Sequence, residues 1–385
     1  MLINTAGASM VWPFMTIYMR QTLDVPLTTV TLLMTFSAAA SLAAVAVTGP
    51  VVDRFGRKGA MVLGLVSGAA VRVAMSSAGT LPAWVVVMGL HGAVGPLYQV
   101  GADAMIADLI PPERRTSAYA LMRMASNVGI AIGPAVGGFV AATSYSVAFY
   151  IAAAGATIYA LLILILARET IPRRQPGEQH VGEPGRAGTS PRKGPEAGGP
   201  AVLPRRERGY GPLLRDSRFL GFCGLFSLVT IAPSMVMVLL PVYAKEQFGV
   251  PENQYGFIMA TNAAMVVLFQ YLVTQVSKRY TPGRALALGA LFYGLGAGSV
   301  AWGASFIAFW LSMVILTIGE LLLMPTGTAL AARLAPAEMR GRYMGIYNLT
   351  WSVAYGLGPV LGGVLNDQIA PAATWYGGMA AAFVA

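Results

Sequence analysis

The chain has 385 residues, 56% of them hydrophobic and only 11% charged, against about 25% charged in a typical soluble domain, so water is not its main solvent. A formal net charge of +10 would suit a polyanion binder, yet the basic residues are scattered over many separate breaks between apolar runs, which excludes one nucleic-acid-binding patch. The single cysteine, Cys223, lies inside an apolar run and excludes a disulfide framework or a cysteine-based metal site.

About twenty apolar residues in a helix cover a ~30 Å hydrocarbon core. Twelve runs of roughly that length follow one another: 1–21, 28–52, 59–78, 82–107, 115–142, 146–167, 218–244, 253–277, 284–303, 305–332, 342–366 and 371–385. The expected fold is therefore an all-α integral membrane protein with twelve transmembrane helices. Residues 169–217, rich in Pro, Gly and Arg and without apolar period, read as a flexible linker between an N-terminal half (1–168) and a C-terminal half (218–385).

The halves are copies. One constant offset pairs Arg54 with Arg279, Gly64 with Gly289, Pro111 with Pro336, Glu113 with Glu338 and Arg115 with Arg340, and lays "GPAVGG" (133–138) on "GPVLGG" (358–363) without a gap. Two pseudo-two-fold-related bundles of six helices follow, an architecture that places a substrate site at the interface. The same offset would place part of the last helix beyond Ala385 and part of the first before Met1, so the first and last helices read as truncated.

All 26 Lys and Arg except Arg20, Arg72, Arg123 and Lys245 fall in, or at the edges of, the linker and the breaks after the second, fourth, eighth and tenth runs. By the positive-inside rule those breaks, the linker and both termini face the cytoplasm of a cell (inner) membrane. The first run leads directly into further spans and does not read as a cleavable signal. With two His and one Cys the chain offers no ligand-spaced cluster, and no phosphate-binding loop or nucleophile elbow is present, so no enzyme, cofactor or metal is expected.

The stretch "GPVVDRFGRKG" (49–59) crowds charge into a turn between apolar runs. Gly49 would let backbones approach and Gly56 would make a tight turn, leaving Asp53, Arg54, Arg57 and Lys58 in one small volume. There a carboxylate can accept from an Arg and cap a helix N-terminus; a solvated positive turn is the plainer alternative. "GIAIGPAVGG" (129–138) joins a kink at Pro134 to a bare face of Gly129, Gly133, Gly137 and Gly138, suited to close helix packing.

These two stretches resemble, respectively, the loop signature of the major facilitator superfamily and the helix-five signature of its drug/proton antiporter branch. The resemblance spans the chain and implies a secondary transporter. It further implies that the loop is a cytoplasmic latch formed in the outward-facing state, with Asp53 against Gly341 and Arg342 and Arg57 paired with an acid such as Asp108. In the second half Lys278 and Pro282 stand at the images of Asp53 and Arg57, so a full latch exists on one side only. The helix-five face is implied to serve antiport by sealing the half-interface; plain packing is the alternative, since the second half repeats the motif. An Arg usual on the fourth helix of that branch, four residues before a Gly, is replaced here by Met88 before Gly92.

A charge at a helix centre costs about 2.5–3.5 kcal/mol and requires a partner, water or a task. Glu320, mid-run in "ILTIGELLLMP", is the first candidate for a proton carrier or a contact to a cationic substrate, with a permanently paired carboxylate as the alternative. Asp103, His91 and Arg123 are further candidates for coupling or substrate contact, each with a structural alternative. Trp12, Met15, Met235, Met237, Tyr243 and Met324 would give a polarizable cavity wall for lipophilic ligands. The expected function is proton-coupled efflux of lipophilic or cationic drug-like molecules by alternating access, with small-molecule substrate, protons and bilayer as partners and a monomer as the unit. A carrier of one polar metabolite, using Gln99, Asn127, Asn262, Gln270 or Asn348, is the alternative, and a non-transporting sensor a more distant one.

Overall fold

The computed structural model describes residues 1–170, 211–336 and 339–385, without the side chains at 53, 112, 113, 115–117, 120, 123 and 341. Twelve long helices lie close to the twelve expected runs. They are α1 (Leu2–Leu23), α2 (Leu27–Phe55), α3 (Arg57–Ser77), α4 (Leu81–Leu109), α5 (Pro112–Thr143) and α6 (Tyr145–Leu166). After the short α7 (Gly211–Arg215) come α8 (Ser217–Phe248), α9 (Glu252–Ser277), α10 (Pro282–Val300), α11 (Phe306–Leu334), α12 (Arg340–Gln368) and α13 (Ala373–Val384). Among the described residues, eight of them are long and apolar enough to cross a membrane by length and composition alone. Large apolar side chains such as Ile165, Leu268 and Leu272 stand well exposed on the outside, a surface that suits lipid and would be a liability in water.

Local chemistry sets the breaks. Extended Ile110, ahead of the Pro111-Pro112 pair, ends α4, because a residue before proline is pushed out of the helical region. Asp216 accepts from the Phe219 amide (3.0 Å) to start α8. Gly249, at φ +66°, ends α8 in a left-handed cap closed by its amide on the Lys245 carbonyl. Its image, Asp24, ends α1 in the same left-handed conformation at φ 50°, so the duplication extends to the caps.

Packing obeys the same symmetry. In the first half α1 packs on α5 and α6, α2 on α4, and α3 on α4 and α6. In the second, α8 packs on α12 and α13, α9 on α11, and α10 on α11 and α13, each contact the image of one in the first half. Between halves α5 meets α9 and α2 meets α12, which are again images of each other. The turns on one side carry the basic breaks, and this is called the basic face; the turns α1/α2, α3/α4, α5/α6, α8/α9, α10/α11 and α12/α13 form the opposite face.

Two parts of the sequence reading change. Gly49 lies inside α2, which runs on to Phe55, and a Cβ there would meet no described atom within 4 Å, so no backbone approaches it. The turn contracts to Gly56 alone, at φ +93°. The segment 169–217 is not bare linker at its described ends, since Glu169 and Thr170 bond back to the bundle and α7 forms before α8; residues 171–210 lie outside the described residues.

Candidate functional site

A cavity of about 430 Å³ lies at mid-depth between the halves. Its apolar wall includes Trp12 and Met15 of α1, Met75 of α3, Met237 of α8 and Met259 of α9, with Pro134 of α5 at its side. Its polar groups include Arg72 of α3, His91 of α4, Asn262 of α9 and Tyr355 of α12. His91 is ten residues into α4, about 15 Å along the helix axis, so this is the interior of the bundle. Arg72 and His91 make no hydrogen bond or ion pair within the described residues.

Behind the far wall stands Glu320 on α11. The Asn262 amide donates to its Oε2 (2.8 Å) and to Thr317 Oγ1 (2.9 Å), so one asparagine links the cavity to the carboxylate. Both amide hydrogens of Asn262 are thereby engaged, one on Glu320 and one on Thr317. The charged groups break the pseudo-symmetry: the images of Arg72, His91 and Glu320 are Ala297, Leu316 and Gly95.

The helix-five motif has a clear geometry. Ser9 Oγ donates to the Gly129 carbonyl (3.0 Å), and Ser234 Oγ repeats the bond to Ala354 (3.0 Å) in the second half. A Cβ on Gly129, Gly133 or Gly137 would strike α1, and one on Gly138 would strike the Glu252 carbonyl of α9. The bare face thus packs α5 against its own half and against the other at once. Gly363 of α12 meets Thr28 of α2 in the corresponding way.

Further ties between the halves gather toward the opposite face. Thr28 donates through its amide (2.8 Å) and hydroxyl (2.7 Å) to Asp367. Arg20 pairs with Glu246 (2.6 Å), and Lys245, Glu252 and Tyr145 form one cluster in which Glu252 accepts from both others. Thr35 Oγ1 donates to the Gly356 carbonyl (2.6 Å) at the cavity's level.

At the basic face the structure brings Arg57 and Asp108 together, Nε to Oδ2 at 3.0 Å. Thr170 Oγ1 donates to the same carboxylate oxygen (2.9 Å). The cap of α3 is Glu169, whose carboxylate accepts from the Arg57 (3.0 Å) and Lys58 (3.2 Å) amides, a role the sequence suggested for a carboxylate of the loop itself. The side chain of Asp53, and with it the contact expected near Gly341 and Arg342, lies outside the described residues, as does the side chain of Arg123. Arg54 is exposed on the last turn of α2.

Other expected site residues lie elsewhere. Asp103 accepts from Gln99 (3.1 Å), four residues before it on α4, and does not line the cavity. Met235 is buried beside Gly362 and Gly378, because the bare faces there need filling. Tyr243 belongs to an aromatic cluster, 5.0 Å from Trp375 and 6.0 Å from Phe309 between ring centres. Met324 packs, partly buried, on the main hydrophobic core. Trp12, Met15 and Met237 do line the cavity. Arg72 was visible as a charge inside a run, but nothing in its local pattern selects it; only the packing of α3 turns it inward.

A sequence model of the Major Facilitator Superfamily matches residues 1–359. A Na(+), Li(+), K(+)/H(+) antiporter of Planococcus maritimus is 26% identical over 396 residues, covering 96% of this chain and 86% of the relative. Multidrug resistance protein 1 of Bacillus subtilis (strain 168) is 26% identical over 327 residues, covering 83% and 76%. A solved POT family transporter in complex with 5-aminolevulinic acid superposes with a TM-score of 0.76 at 17% identity, covering 100% of this chain and 92% of that one.

Proposed function

The chain belongs to the major facilitator superfamily, and on that premise we propose that it exports lipophilic, drug-like molecules in exchange for protons by alternating access. It is a multi-pass membrane protein and a transporter, not an enzyme. The observation that carries the finer reading is the cavity between the halves, apolar and methionine-rich, with Asn262 joining it to the intramembrane carboxylate of Glu320. Methionine and tryptophan walls adapt to varied apolar bodies, and the drug-resistance name of one relative points the same way.

In this account the basic face is cytoplasmic. The ties of Thr28 to Asp367 and of Lys245 and Tyr145 to Glu252 hold the opposite face shut, so cargo exchanges with the cytoplasmic side in this conformation. The Arg57–Asp108 pair and the Glu169 cap lie within the first half and are already made in this conformation, so they shape the turn on the basic face, and Asp53 is the expected member that reaches the other half when the halves rock the other way. Glu320 reaches the cavity through Asn262, so protonation of Glu320 and ligand binding at Asn262 are linked through one side chain, and export against a proton requires that each disfavour the other. The proton and the cargo then move in opposite directions. Arg72 in the wall disfavours the cationic cargo that the sequence left open, because like charges repel in a poorly solvated site.

The test uses proteoliposomes under an imposed pH gradient and two permanently charged probes, naphthalene-2-sulfonate and (2-naphthylmethyl)trimethylammonium, neither of which distributes with pH by itself. Wild type is expected to concentrate at least one of them, and Glu320→Gln to lose gradient-driven accumulation while keeping downhill exchange. Accumulation that survives in Glu320→Gln removes Glu320 from coupling. Movement of neither probe in folded protein contradicts export of lipophilic molecules.

A further inference from the structure

We propose that Arg72 makes the cavity an anion site, so that the cargo is a lipophilic body carrying one oxyanion such as a carboxylate, sulfonate or phosphate. This rests on the cavity being the transport site.

The position of the guanidinium carries the argument. Arg72 is five residues from the Ser77 end of α3, near enough for a long side chain to snorkel to the opposite face. It turns the other way. A Cβ on Gly68, one turn deeper, would lie 3.4 Å from Arg72 Nη1, so the side chain runs back toward mid-membrane over the space that Gly68 leaves bare. There it lines the cavity without a carboxylate partner among the described residues.

A guanidinium is always charged, and holding one in the bundle interior without a counterion is costly. None of the described residues lining the cavity is acidic, and the carboxylate behind the far wall, Glu320, is engaged by Asn262. The missing negative charge is best supplied by cargo. His91 stands in the same wall as a second donor, and Trp12, Met15 and Met75 offer the apolar body its contacts. A planar fork of donors matches a two-oxygen acceptor, which a carboxylate, sulfonate or phosphate ester each presents. The binding geometry is therefore polar at the α3–α4 wall and apolar across the α1 wall.

The test compares three probes with one body on detergent-purified full chain by equilibrium dialysis: tritiated naphthalene-2-sulfonate, naphthalene-2-sulfonamide and (2-naphthylmethyl)trimethylammonium. Wild type is expected to bind the sulfonate at least about tenfold tighter than either other probe, the scale of one charge-assisted hydrogen bond. Arg72→Gln should lower sulfonate affinity by about tenfold or more while leaving the sulfonamide within about twofold, and Arg72→Lys, which keeps the charge but loses the fork, should retain only part of the sulfonate preference. The wild-type ranking needs no variant, so a misfolded Arg72→Gln leaves the test intact. Equal binding of sulfonate and sulfonamide, or tightest binding of the cation, overturns the anion site while leaving the transporter reading standing. Binding of none of the three contradicts both.

Discussion

At the scale of single residues, the contacts divide by how far the chain must fold to make them. The Arg57–Asp108 contact was implied by the family resemblance of the charged turn rather than by composition or spacing, and the two side chains do meet. The cap on α3 was not legible. Glu169 sits in a stretch whose composition reads as linker, and only the return of the chain after α6 sets it over the Arg57 and Lys58 amides. Glu169→Gln is expected to lower stability by about 0.5–1 kcal/mol, the low end for a lost cap since the site is exposed. Thermal unfolding in detergent reads this directly, and an unshifted midpoint would show that the cap contributes nothing. Glu320 was found by its isolation in an apolar run, whereas Asn262 became its partner only through the packing of α9 on α11.

Among the helices, the duplicated glycine motif is a packing device first. Its two copies make the same serine bond and the same close approach to the other half, which explains why the sequence repeats it on α12. Gly133→Val and Gly358→Val should both be destabilising, by about 1–3 kcal/mol each and more at Gly133, because the new side chains displace the Ser9 and Ser234 hydroxyls and at Gly133 also meet the Ala6 carbonyl. Gly49→Ala is the contrasting case. Nothing lies within 4 Å of its added methyl, and alanine is the better helix former by about 0.5–1 kcal/mol, so this variant should melt no lower than wild type. Fluorescence-monitored melting of the three variants separates them; a stable Gly133→Val or an unstable Gly49→Ala would contradict the packing described. Helix positions were readable from hydropathy alone because each run is apolar over the thickness of a bilayer. The cavity wall was only half readable. An apolar side chain looks the same whether it faces a cavity, as Trp12 does, or fills a gap, as Met235 does.

For the whole molecule, symmetry and asymmetry have separate tasks. The pseudo-two-fold repeats caps, glycine contacts and helix pairs, and so supplies two rigid bodies with matched surfaces. The ionisable groups near the cavity escape it, with Arg72 and His91 in one half and Glu320 in the other, so in the proposed rocking motion the Arg72–Glu320 separation would change. The proposed motion between the bodies would have to break the ties at the opposite face, where the Thr28 hydroxyl lies 2.7 Å from the Asp367 carboxylate. The most direct test of alternating access replaces these two residues with cysteine and closes a disulfide between them, with Cys223 changed to Ser. The oxidised protein is expected to bind naphthalene-2-sulfonate yet move none across the membrane, and to regain transport on reduction. Full transport by the cross-linked protein would contradict the account.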